Sequence, residues 1–96
     1  MSPNNKKKLN KLRKQLDLLD RNLLNIIQKR SIIVKKVLIL KEFKKEIIDR
    51  ERIAKILNKI KNESLRKKID PKITNRIWKN MIWSYINYEK KNFKKK

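Results

Sequence analysis

The chain has no glycine, no cysteine and no histidine, and its 96 residues include only two prolines, Pro3 and Pro71. Without Cys or His, a zinc finger, a thiol nucleophile, an imidazole base and a Ser-His-Asp triad are all excluded. Carboxylates and cations remain for chemistry. With proline confined to the start and to a point well past the middle, everything between can be helix. No uninterrupted apolar run approaches the roughly 20 residues that span a bilayer. The opening Met-Ser-Pro-Asn-Asn-Lys-Lys-Lys is basic, but Lys, Arg, Gln and Asp interrupt Leu9 to Leu19, so no signal-type apolar region follows it. A cytoplasmic location is the expectation by default.

Acidic residues are also scarce, nine Asp and Glu against thirty Lys and Arg, for a formal charge of +21. Such a balance points first to nucleic acid or an anionic membrane. Lys, Asn and Ile are all over-used, however, and their codons can be written entirely in A and T, so base composition accounts for much of the charge. A small anionic substrate would profit from the same field. A chain this short forms one domain, residues 1–96, and buries a modest core alone, which makes help from a second chain plausible.

From Leu9 the apolar residues recur at Leu12, Leu16, Leu19, Leu23, Ile26, Ile27, Ile33, Val34, Val37 and Leu40, in alternating steps of three and four. This spacing predicts one amphipathic helix from about Asn5 to Phe43. Such a helix would be about 60 Å long at 1.5 Å per residue, against a radius of gyration near 13 Å for a compact domain of about this size. Its far half must lie against something else, and a second copy of the chain gives an intertwined two-fold dimer. Lys44 to Ile48 is expected to connect to a second helix capped by Asp49, with Ile53, Ile56, Leu57 and Ile60 as its buried stripe and fraying from Asn62 to Lys68. Asp70-Pro71 marks the start of a third helix, with Ile73, Ile77, Trp78, Met81, Ile82, Tyr85 and Ile86 inward. The expected fold is all-α, three helices with a long first one, and residues 1–8 and 91–96 are expected to be flexible basic ends.

Three charges stand where the pattern asks for apolar side chains. Arg30 and Lys41 share the face of Leu23, Ile26, Val34 and Val37. Each alone is explained by a structural Glu partner or by snorkelling to water; together on one face they call for something anionic, because a buried unpaired cation costs several kcal/mol. Glu89 follows Trp78, Ile82 and Tyr85 at steps of four, three and four, which places a carboxyl on the inner stripe of the third helix or, alternatively, at a frayed end facing water. Arg50 and Glu51 fall in the first turn of the second helix, where polar residues are common and Glu suits the helix dipole.

The segment Leu12 to Leu24, Leu-Arg-Lys-Gln-Leu-Asp-Leu-Leu-Asp-Arg-Asn-Leu-Leu, resembles the first-helix signature of the all-helical chorismate mutases. In the same family an Arg falls at Arg30, a Lys eleven residues later falls at Lys41, and the start of the second helix is similar to Ile48 to Arg52. The likeness runs from about Leu9 to Glu89. It implies a homodimer whose pockets each take Arg13 from the opposite subunit, and a Claisen rearrangement of chorismate to prephenate, in phenylalanine and tyrosine biosynthesis, with no metal or cofactor. By the same resemblance Arg13 and Arg30 would hold the two substrate carboxylates, and Lys41 would face the ether oxygen. Glu51 would accept from the ring hydroxyl, and Arg50 would support that corner.

Some positions depart from the family. Many relatives carry Gln at Glu89, donating to the ether oxygen; a Glu donates only when protonated. Ile47 stands where Asp is common, in a shorter loop, and Tyr85 stands where Ser is common, with its hydroxyl available to a substrate carboxylate and Ser84 about 100° around the helix. Three other readings compete: an isochorismate pyruvate lyase on the same fold, a purely structural helical dimer, and a basic helical dimer gripping nucleic acid through Lys6 to Lys8, Lys90 to Lys96 and the aromatics Trp78, Trp83, Tyr85 and Tyr88. No nucleic-acid motif accompanies the last.

Overall fold

A computed structural model describes residues 1–94. Three α-helices and one 3-10 turn follow in order: α1 (Pro3–Leu40), the turn (Lys44–Ile47), α2 (Arg50–Arg66) and α3 (Pro71–Asn92). The fold is all-helical, as the periodicity requires. The chain divides into two compact units, Met1–Val34 and Lys35–Lys96.

The first unit is helical from Pro3. The Ser2 hydroxyl accepts from the Asn5 amide at 3.2 Å, and Pro3 sits at the first helical position, where its missing N–H costs nothing. Residues 3–8 are therefore helix, within the stretch expected to be a basic end. The predicted boundaries also shift at the other terminus: α1 stops at Leu40 rather than Phe43, and no residue of it is buried. Leu12, Leu16, Leu19, Leu23 and Ile26, the regularly spaced stripe, all stand more than half exposed at 53–61%.

In the second unit α2 and α3 pack against each other. Asp49 caps α2, its carboxylate accepting from the Arg52 amide at 3.0 Å, and Asp70 caps α3, accepting from the Lys72 amide at 2.9 Å. The core is Ile47, Ile82 and Ile86, with Leu38, Ile48, Ile53, Ile56, Leu57 and Phe93 packed around it. Burial of each isoleucine stabilises by about 1.5–3 kcal/mol relative to exposure. The predicted α2 stripe of Ile53, Ile56, Leu57 and Ile60 is half-buried in the chain.

Two expectations fail nearer the α2–α3 corner. Helix α2 does not fray from Asn62 but continues to Arg66, because Ser64 is buried there and its hydroxyl lies 2.6 Å from the Ile60 carbonyl and 2.7 Å from Thr74 Oγ1. The same pair turns Thr74 inward and leaves Ile73 and Ile77 exposed at 57% and 51%. The helix then ends in a Schellman motif: the Ile69 amide reaches the Ser64 carbonyl at 2.9 Å and the Lys68 amide reaches Leu65 at 3.2 Å. That geometry puts Lys68 at φ 59°, a place glycine usually takes and this chain cannot supply. At the far end, Lys91 and Asn92 belong to α3 rather than to a tail, and Phe93 is half-buried; Lys95 and Lys96 lie outside the described residues.

Candidate active site

Lys41 is the first residue after α1, its amide bonded to the Leu38 carbonyl at 3.1 Å. Helix α3 carries Ile82, Ile86 and Glu89 on one buried line, in steps of four and three. The two elements bring Lys41 and Glu89 together: Lys41 Nζ donates to Glu89 Oε2 at 3.0 Å, with side chains 18% and 7% exposed. Glu89 thus faces inward rather than fraying into water. Neither helix supplies this contact alone, and two such ions leave water only when each has the other as counter-charge.

Beside the pair lies an open depression of about 700 Å³, lined by Lys41, Lys45, Glu46, Ile48, Asp49 and Arg50. Three of those six are cations and two, Glu46 and Asp49, are carboxylates, so the lining carries a small positive excess. Arg50 is exposed in the first turn of α2 with Glu51 next to it, also exposed. Tyr85 is half-buried on α3, one turn before Glu89. Ser84 spends its hydroxyl on its own helix, donating to the Asn80 carbonyl at 2.7 Å, and is exposed, which leaves Tyr85 as the inward hydroxyl of that turn. In the first unit Arg13 is exposed and Arg30 half-buried on α1. Among the sequence-derived candidates, then, Lys41, Glu89 and Arg50 share one locality, with Tyr85 a turn away on the helix that carries Glu89.

Two features of this locality escaped the sequence. Ile47, a departure on family grounds, is the most buried of the core apolar residues at 4% exposure and pins the turn to α3. Glu46 lines the depression while its Oε1 accepts from the amides of Glu42 at 3.2 Å and Phe43 at 2.9 Å. A Glu three residues after the residue whose amide it takes is the carboxylate half of a capping box, a signal present in the sequence.

The sequence profile of chorismate mutase type II matches residues 12–90. The chain belongs to that family. It is accordingly an enzyme, an intramolecular isomerase, and the matched span includes Arg13, Arg30, Lys41, Arg50, Glu51, Tyr85 and Glu89. No curated protein and no solved structure gives a match to the chain. Among the described residues, no helix is long and apolar enough to cross a membrane.

Proposed function

We propose that this chorismate mutase family member rearranges chorismate to prephenate in a pocket completed by a second copy of the chain, in the cytoplasmic synthesis of phenylalanine and tyrosine. The observation that carries the reading is the Lys41–Glu89 pair beside a depression lined by Lys41, Lys45 and Arg50 with Glu46 and Asp49, with Lys41 falling where the family resemblance assigns the contact to the ether oxygen. The reaction breaks one C–O bond and forms one C–C bond within a single molecule. Its demands are to fold a flexible dianion into a chair-like conformer and to stabilise negative charge growing on the ether oxygen, which are positioning and electrostatic tasks.

The residues divide that work. Arg30 and Arg13 of the partner subunit clamp the two carboxylates, where a planar guanidinium makes paired hydrogen bonds that an ammonium cannot. Lys41 carries three N–H donors; one is held by Glu89, and the others are available to the ether oxygen and a neighbouring carboxylate. Glu89 accepts from Lys41 and holds its ammonium beside that oxygen, at the position a Gln fills in relatives. Glu51 accepts from the ring hydroxyl, Arg50 steadies that corner, and Tyr85 offers its hydroxyl to a carboxylate. Neither metal nor cofactor enters this scheme.

The two-fold pairing is supported by the exposed stripe of α1. Five Leu and Ile side chains at helical spacing, each more than half exposed, form the kind of contiguous apolar face that soluble chains bury against a partner. The test is to incubate the protein with chorismate, and separately with isochorismate, and identify products by NMR for wild type and Arg30→Ala. Prephenate from wild type and at least a ~100-fold loss in the variant are expected, a magnitude typical of removing one transition-state donor. Pyruvate from isochorismate would assign the lyase reaction instead, and no turnover of either substrate would refute the reading.

A further inference from the structure

Lys41 opens a stretch that belongs to no helix or turn, and its own amide is the last to reach back to α1, at the Leu38 carbonyl. Helix α1 has ended at Leu40, the 3-10 turn does not begin until Lys44, and Lys41, Glu42 and Phe43 run between them. Glu42 and Phe43 nevertheless have their amides satisfied, both by one atom: Oε1 of Glu46, at 3.2 and 2.9 Å. The Glu46 amide in turn donates to the Phe43 carbonyl at 3.0 Å. The next residue, Ile47, is locked in the core against Ile82 and Ile86. The carboxylate of Glu46 therefore ties the stretch immediately after Lys41 to the most firmly held point of the turn.

Resting on the function proposed above, we infer that Glu46 is a positioning residue, holding Lys41 where its ammonium reaches both Glu89 and the substrate. It acts through the backbone and not through its charge. Its negative charge works against it as a ligand, because Glu46 lines the depression alongside Lys41, Lys45 and Arg50, where a dianion would meet it as a like charge. What makes the side chain useful is a carbonyl-type oxygen at the end of a three-bond reach. A glutamine supplies the same oxygen, and an alanine does not.

Two substitutions and one double-mutant cycle separate these roles, with kcat and KM for chorismate measured per folded protein as judged by circular dichroism. Glu46→Ala is expected to lower kcat about tenfold with a smaller change in KM, since a displacement near 1 Å of a reacting group costs on the order of ten- to a hundredfold. Glu46→Gln is expected to restore kcat to within about twofold. In a Lys41→Ala background the further change Glu46→Ala is expected to have no effect on kcat, because residues acting as a unit are non-additive. Amide exchange at Glu42 and Phe43 should quicken in the Ala variant and not in the Gln variant. Equal kinetics for Gln and Ala, both with tighter KM, would assign Glu46 a purely electrostatic effect and overturn the inference. So would a full tenfold loss in the Lys41→Ala background. An inactive wild type, or undiminished turnover by Lys41→Ala alone, would overturn the functional reading and the role of Glu46 with it. Normal wild-type turnover with an unaffected Glu46→Ala would overturn the role of Glu46 alone.

Discussion

The Lys41–Glu89 pair is expected to be costly to break from either side and cheap to replace as a whole. Its side chains are 18% and 7% exposed, so each ion has given up most of its water and depends on the other. Removing one partner of a buried pair costs about 3–5 kcal/mol. The ammonium keeps some contact with solvent, and the expected loss for Lys41→Met or Glu89→Leu is therefore below that range, about 2 kcal/mol, mainly the desolvation of the ion left behind. For a chain of this size, 1 kcal/mol moves the melting temperature by about 4–8 °C, so each single variant should melt about 8–16 °C lower. The double variant Lys41→Met/Glu89→Leu, with an apolar pair in place of the ions, should regain most of that loss or exceed wild type. The measurement is urea unfolding followed by circular dichroism, at one fixed protomer concentration because association contributes to apparent stability. A double variant that loses the sum of the two singles, within about 0.5 kcal/mol, would refute the coupling. Chorismate turnover by a stable double variant would refute the placing of Lys41 in the reaction. The expected outcome, folded and inert, means the ions are kept for chemistry at no gain in stability.

Three further outcomes are expected. Glu89→Gln, which keeps an oxygen for Lys41 to donate to, should turn over chorismate faster than Glu89→Ala; equal rates for the two variants would remove Glu89 from the placing of Lys41. Charging the exposed stripe with Leu19→Lys and Leu23→Lys should convert a two-chain species to single chains in analytical ultracentrifugation and abolish turnover, whereas a wild type that turns over chorismate as a single chain would remove Arg13 from its cross-subunit role. Lys68→Gly, at φ 59°, should raise stability by about 1 kcal/mol, because only glycine takes the left-handed region without steric cost; a lower melting temperature would show that the Lys68 side chain stabilises the corner in some other way.

The long helix was legible because its apolar spacing holds over seven turns, and Glu89 because a carboxyl interrupted an otherwise apolar inner line. The start of α3 was equally plain from Asp70-Pro71. The same Ser/Asp-Pro logic applies at Ser2-Pro3, which opens α1 ahead of a run of lysines. What the pattern could not reveal depended on partners distant in sequence. Thr74 displaces Ile73 and Ile77 from the inward face because a buried Ser64 hydroxyl waits for it across the corner, and nothing local to either residue announces that bond. Ile47 read as a loop residue missing an expected carboxylate, and its burial follows only once α3 presents Ile82 and Ile86 to it. On the two-chain reading proposed above, Arg13 and Arg30 would meet only across a second chain, which one sequence pattern can imply and not lay out.

The uncovered leucine and isoleucine stripe of α1 has a consequence for how such an enzyme behaves at low abundance. On the two-chain reading, every pocket borrows an arginine from elsewhere, so the number of complete pockets follows a mass-action law. Below the dissociation constant, rate then grows with the square of protein concentration, and specific activity falls on dilution although no chain has been damaged. A cell making few copies would hold proportionally fewer working sites than copies, and a modest rise in expression would return a more than proportional rise in flux.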